Sequence, residues 1–276
     1  MHQAKDAVIA SDPDFSVEKF SCLDDHTGWF EGYQHAYQIV LVRKGIFRVR
    51  SCGAIFEVDR TTCYLGVPGE PRQYAHPVSG ELSTVITVSP RLWRSMAGDT
   101  PISRYRVYAD ARIELTHRAI LAARPDPGYA LTERLLGLLG GVVSGASTRA
   151  LPVHVRPTPT DRALAENARA AIMADHPAAS RLSSLAALLD CSPYRLSRAF
   201  SRELGVSLTH YRNRVRITRA LDRLEAGEPS LAALAADLGF ADQAHLTRTV
   251  RDHLDHTPST LRRLLAAHGL SAAESG

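Results

Sequence analysis

The C-terminal half of the chain repeats itself, and this restricts the fold more than any other feature. Leu185-Ala186-Ala187-Leu188-Leu189-Asp190 matches Leu234-Ala235-Ala236-Asp237-Leu238-Gly239, and Leu196-Ser197-Arg198-Ala199-Phe200 matches Leu246-Thr247-Arg248-Thr249-Val250. The offset is 49 residues before the turn and 50 after it, so the second turn is one residue longer. Each copy reads as helix, tight turn, helix. Ser183 and Ser230 are the expected caps of the first helices, and Ser192 (followed by Pro193) and Asp242 those of the second.

The second helix of each copy has two stripes. Leu196, Phe200 and Leu204, then Leu246, Val250 and Leu254, form an apolar stripe at helical spacing. The opposite stripe carries Tyr194, Ser197, Arg198 and Ser201, then Ala244, Thr247, Arg248 and Arg251. Hydroxyl groups beside arginine on an exposed helix suit the major groove, where arginine reads guanine. A solvated polar face is the bland alternative, and arginine recurring at the same place in both copies argues against it. Between the copies, Ser207 to Ala226 reads as one helix, with Tyr211, Val215, Ala220, Leu221 and Leu224 inward and Arg212, Arg214, Arg216, Arg219 and Arg223 outward. A helix of about 20 residues spans ~30 Å, close to the ~34 Å of one DNA turn.

The stretch from Leu182 to Arg263 resembles the AraC/XylS family of transcription regulators. The resemblance rests on Ser192-Pro193, Leu196-Ser197-Arg198 with Phe200, Glu203-Leu204-Gly205-Val206, Tyr211, Arg216 and Ala220. It continues in Leu234-Ala235, Leu238-Gly239-Phe240, Asp242-Gln243 and Thr257-Pro258-Ser259. Aliphatic residues stand at Leu246, Val250 and Leu261, where that family has aromatics, and Leu208 where it has proline. Asp255 replaces a glycine, which predicts a left-handed aspartate there. The resemblance implies double-stranded promoter DNA as partner, with RNA polymerase contact and control of transcription. By position, Tyr194, Arg195, Ser197, Arg198 and Arg202 would meet DNA in the first copy, and Gln243, Thr247, Arg248 and Arg251 in the second.

The N-terminal half has a different period. Tyr37-Gln38-Ile39-Val40-Leu41-Val42 runs into the turn Arg43-Lys44-Gly45, Ile46-Phe47-Arg48-Val49-Arg50 alternates, and Ser51-Cys52-Gly53 turns into Ala54-Ile55-Phe56-Glu57-Val58. Short strands with frequent turns point to a small antiparallel barrel or sandwich. From about 112 to 143 the pattern is helical, with Leu131, Leu135, Leu138 and Leu139 on one face, either packed on the strands or pairing two subunits in a homodimer. The expected fold is therefore α+β. A cupin-like β-barrel sensor domain with accessory helices spans 1–150, a proline-bearing linker 151–160, and an all-α DNA-binding domain 161–276.

This half more faintly resembles the cupin-like sensor domain found in that family, which implies a small-molecule effector, dimerisation, or both. Candidate effector contacts are His35, Tyr37, Arg48, Tyr64, Tyr74 and His76. A metal-dependent cupin enzyme would need an HxH pair, and His35-Ala36-Tyr37 breaks it, so no enzyme and no cofactor is expected. A metal- or thiol-responsive regulator is the alternative, because Cys22, Cys52, Cys63, His26, His35 and His76 share this half. Cys191 falls in the first turn, where a small buried apolar residue is expected.

Composition agrees. Three of the 33 basic residues are lysine, the rest arginine, and Arg181 to Arg263 holds 13 arginines against 9 acidic residues. No CxxC pair occurs, no apolar run approaches the ~20 residues that span a bilayer, and the first residues lack a signal-peptide pattern. Cytoplasmic location without membrane contact is the expectation.

Overall fold

The computed structural model describes residues 7–22, 26–33, 35–51, 53–77, 81–99, 102, 104–122, 129–146 and 158–273. Two compact units form: Met1–Arg149 together with His268–Gly276, and Ala150–Ala267.

Among its described residues the first unit forms ten strands in two antiparallel sheets. The larger sheet holds β1 (Ala7–Asp12), β2 (Phe15–Cys22), β9 (Glu81–Val88), β4 (Tyr37–Lys44), β7 (Thr62–Gly66) and β10 (Arg106–Tyr108), in that order across the sheet. The smaller holds β3 (His26–Gly32), β8 (Arg72–His76), β5 (Phe47–Ser51) and β6 (Ala54–Val58). The expected barrel is thus replaced by two separate sheets: no pairing among the described residues closes them into one ring. Local alternation gives strands, whereas closure depends on long-range pairing that alternation does not encode.

The apolar run of β4 has a physical reason. Ile39 and Leu41 join a core with Trp93 of α1 (Pro90–Ala97), Ile113 and Ile120 of α2 (Ala111–Leu121) and Leu135 and Leu139 of α3 (Tyr129–Ala146). Val40 and Val42 face the other way, into a second core with Phe47, Val49, Val58 and Tyr64. A central strand covered on both faces needs apolar residues at successive positions. The leucine face of α3 packs into the first of these cores. At the end of β4 the chain turns at Gly45, whose φ of +79° a side chain would resist.

The second unit is helical. It comprises α4 (Pro159–Met173), α5 (Leu182–Leu188), α6 (Pro193–Leu204), α7 (Leu208–Glu225), α8 (Leu231–Asp237), α9 (Gln243–Leu254) and, as far as Ala267, α10 (Pro258–Ala273), with a short 3₁₀ turn at Pro177–Ser180. Pro159, read above as linker, is the first residue of α4, where Thr158 and Asp161 form a reciprocal capping box. Ser192, Ser230 and Asp242 cap their helices as read from sequence. Ser183 does not: α5 starts one residue earlier, behind Arg181, which makes no side-chain cap.

The duplication extends beyond the matched residues. Helix α7 closes the first copy and also leads into the second, as α4 leads into the first. Ser207 and Thr257 occupy the same place before α7 and α10, each hydroxyl accepting from the backbone N–H three residues on. Left-handed corners follow the same plan, divided between two residue types. The first copy turns at Asp175 (φ 55°), Asp190 (50°) and Gly205 (77°), the second at Gly227 (86°), Gly239 (70°) and Asp255 (56°). Asp255 is thus left-handed, as its sequence position predicts.

A left-handed non-glycine residue costs roughly 1–2 kcal/mol, less for aspartate, while glycine gives back part of this in chain entropy. Asp190→Gly should therefore stabilise the second unit by about 0.5–1 kcal/mol. Gly239→Ala should destabilise it by about 1–2 kcal/mol, since its Cβ would also stand 3.0 Å from Arg216 Nη2. Urea titrations followed by helical circular dichroism will check both signs. Among the described residues, no helix is long and apolar enough to cross a membrane.

Candidate nucleic-acid interface and sensor cavity

Helices α6 and α9 present the two stripes read from sequence. Leu196, Phe200 and Leu204, and Leu246, Val250 and Leu254, are buried against the preceding helices, with the Tyr211 ring edge-on to Phe200 at 5.2 Å. Opposite them Tyr194, Arg195 and Arg198 stand exposed on α6, and Gln243, Arg248 and Arg251 on α9; Ser197 and Thr247 are half-exposed. The Tyr194 ring is 73% accessible, unusual for so large an aromatic, and the Arg198 guanidinium lies 5.8 Å from its centroid. The guanidinium keeps contact with the ring while its charge stays in solvent. Arg202 departs from this group. It turns back to Asp161 of α4 at 3.6 Å, while Arg162 reaches Glu203 at the same distance, so this pair of contacts fixes α6 to α4.

Residues 185–264 match the family described as a helix-turn-helix domain. The arabinose operon regulatory proteins of Salmonella typhimurium and Escherichia coli are each 32% identical over 92 residues, 33% of this chain and 33% and 32% of theirs. The second unit contains a helix-turn-helix domain, similar in sequence to part of these regulators. The match spans about a third of the length of these curated relatives. Among solved structures, ToxT of Vibrio cholerae O395 is similar over 91% of this chain and 97% of its own, with 16% identity and a TM-score of 0.37. The C-terminal domain of AraT, a response regulator of Geobacillus stearothermophilus, is similar over 40% of this chain and 88% of its own, with 28% identity and a TM-score of 0.35.

Within this helix-turn-helix domain, α7 is not uniformly coated with arginine, as its sequence implied. Arg214 is fully buried and donates to the Thr218 hydroxyl. Arg169 of α4 is also buried, donating to Glu166 at 2.6 Å and to the Tyr211 hydroxyl at 3.4 Å. Arg216 lies over the Phe240 ring at 5.2 Å, and Arg223 pairs with Glu228 and Asp237. These arginines brace the two copies against α7 rather than offering free charge to a ligand. Cys191 is only partly buried at its turn, and burial still pushes its thiol up.

The six sensor candidates of the first unit do not form one site. His35 is exposed, Tyr37 stacks on Trp93 at 4.4 Å in the helix-side core, and Arg48 pairs with Glu57 at the surface. Tyr64, Tyr74 and His76 do converge on the layer between the sheets. His76 bonds Glu81 and is surrounded by Phe20, Phe30 and Phe47. Tyr74 and His76 border a cavity of about 260 Å³ that strands of both sheets line.

Sequence reasoning missed Arg72, the residue that organises this region. Its Nη2 donates to Gln38 at 3.0 Å, and its guanidinium lies over the rings of Tyr64 (5.8 Å) and Tyr74 (5.3 Å). The sequence carried half of the signal: Arg72, Tyr74 and His76 alternate along β8 and so share one face, but which face turns inward is set by the opposing sheet. Burial raises both tyrosine hydroxyls above the usual phenol range, which keeps them neutral.

The described thiols of this unit, Cys22 and Cys63, are poorly placed for redox or metal chemistry. Cys63 is fully buried and its thiol is pushed up to about 12 by desolvation, so the reactive thiolate is scarce. Cys22 is also buried, and Cys52 lies outside the described residues. Among the described residues, no three His, Cys, Asp or Glu side chains are grouped to hold a metal ion.

Proposed function

We propose that this chain is a sequence-specific DNA-binding transcription regulator whose first unit binds a small-molecule effector. One observation carries the DNA reading: Arg198 and Arg248 are exposed at the same position of two duplicated helices, each backed by a buried apolar stripe. Tyr194, Arg195, Ser197, Gln243, Thr247 and Arg251 complete the two reading faces. Arg202, held by Asp161, positions α6 instead of touching bases.

The linking helix α7 has 18 residues, about 27 Å at 1.5 Å per residue. This length supports the entry of both recognition helices into successive major grooves on one side of the duplex. RNA polymerase, a second copy of the chain and a cytoplasmic setting belong to this reading through the resemblance to AraC/XylS regulators.

Selection of bound duplexes from a random pool, followed by methylation protection of guanines, tests it. We expect two protected clusters about 10 base pairs apart for each monomer. A single cluster would remove the tandem grip, and failure to retain any duplex at low salt would remove the DNA reading itself.

A further inference from the structure

We infer that Arg72 is the anchor for the carboxylate of a small, singly charged organic acid, bound in a cavity at one end of the smaller sheet. This rests on the effector reading above and specifies the chemistry of its ligand. The cavity measures about 690 Å³, within the range of small-molecule sites, and Arg72 lines it beside Gly32, Ser51 and Glu70.

The argument begins with an uncompensated charge. Arg72 is 5% exposed, yet it makes no ion pair among the described residues. Its Nη2 is satisfied by Gln38, while Nε and Nη1 have no hydrogen-bond partner among the described residues. Tyr64 and Tyr74 offer the cation their ring faces and neutral hydroxyls, and neither supplies a counter-charge. A buried guanidinium with open donors is expensive in a fold and is retained where an acceptor completes it.

Two other charged groups of the lining, Arg50 and Glu70, each have a partner. Arg50 donates to Gln73 at 2.8 Å and lies over the Trp29 ring, and Glu70 accepts from Ser51 at 2.5 Å. One cation without a counter-ion, beside the carboxylates of Glu70 and Glu31, suits a monoanion. A phosphate dianion would leave a charge facing Glu70 and Glu31.

The wall behind Arg72 is thin. Gly32 lines this cavity, and a Cβ added there would come within 2.8 Å of the Tyr74 ring. Tyr74 in turn lines the aromatic cavity on its other side, as does Gln38. Carboxylate binding at Arg72 would therefore compete with Gln38 and shift Tyr74, joining the anion site to the core between the sheets.

Full-length protein should be titrated with benzoate and hexanoate, with benzamide, hexanamide and inorganic phosphate as controls. Melting temperature is one readout, because a ligand that prefers the folded state raises it. Arginine Nε–H resonances of ¹⁵N-labelled wild-type protein are the second. We expect at least one carboxylate to raise the melting temperature and to move the Arg72 Nε–H signal. Its amide and phosphate should bind at least tenfold more weakly. Arg72→Gln should weaken the acid at least tenfold, and Arg72→Lys should recover part of that loss. If Arg72→Gln fails to fold, the wild-type resonance still decides.

A silent Arg72 signal with no carboxylate shift overturns the inference, as does amide binding as tight as the acid. Retention of selected DNA by the same preparation separates the two ideas. DNA binding without acid binding sinks the anion site alone, whereas acid binding without DNA binding upholds the site and sinks the regulator reading.

Discussion

Replacing Arg198 and Arg248 together by alanine is expected to weaken binding to the preferred duplex by about 2–6 kcal/mol, a loss of roughly 30-fold to more than 10⁴-fold. Each arginine alone should cost about 1–3 kcal/mol, and the two losses should add, because the side chains sit on different helices of different copies. Both are exposed, and neither appears in an ion pair that would be left broken. The folded state should consequently melt within about 0.5 kcal/mol of wild type, as surface substitutions do. Base contacts and phosphate contacts separate by salt. If these arginines read bases, the double variant should lose preference between matched and scrambled duplexes while its affinity for scrambled DNA falls far less. Fluorescence anisotropy at several salt concentrations measures all of this. Equal losses on both duplexes would make the pair phosphate anchors, and unchanged affinity would remove them from the interface.

Acidification should unfold the first unit through His117. This imidazole is buried in α2, bonded to the Thr84 hydroxyl at 2.7 Å, and lowered from 6.5 to about 3. Desolvation is the main cause; Glu114 opposes it, while Arg43, Arg118 and Arg60 add to it. The folded value lies below the unfolded one, so between pH 6.5 and 3 the unfolded chain binds the proton that the folded chain refuses. Stability from this residue is complete above pH 6.5 and falls as pH drops, by about 1.4 kcal/mol per pH unit, reaching about 3 kcal/mol of loss at pH 4. The chain's two tryptophans, Trp29 and Trp93, both lie in the first unit, so their fluorescence reports that unit alone. Urea midpoints followed in this way should decline from about pH 7 to about pH 4. His117→Gln, which keeps a hydrogen-bonding group near Thr84, should flatten the decline. An equally steep variant would place the acid sensitivity elsewhere.

What could be read from the sequence depended on whether the cause was local. The duplication was legible because two copies at fixed offset need helical faces of one kind, and Leu196, Phe200, Leu246 and Val250 are buried accordingly. Caps at Ser192, Ser230 and Asp242 are also local, set by one side chain and the N–H groups just ahead of it. Arg169 and Arg214 were not legible. An arginine on a helix reads as solvated, and only the neighbouring helices show that these two are enclosed. The same holds for Arg72. Alternation puts it on one face of β8 with Tyr74 and His76, but which face turns inward is decided by the opposing sheet. The place of Tyr37 in the helix-side core was hidden for a related reason: its partner, Trp93, lies 56 positions along the chain.

Because α7 belongs to both copies, the pair of reading heads shares one axle. Adding a single residue to its middle would turn the far head by about 100° and push it about 1.5 Å further along. The tolerated lengths of this segment are therefore quantised, and a protein built this way has traded adjustable spacing for a fixed gauge.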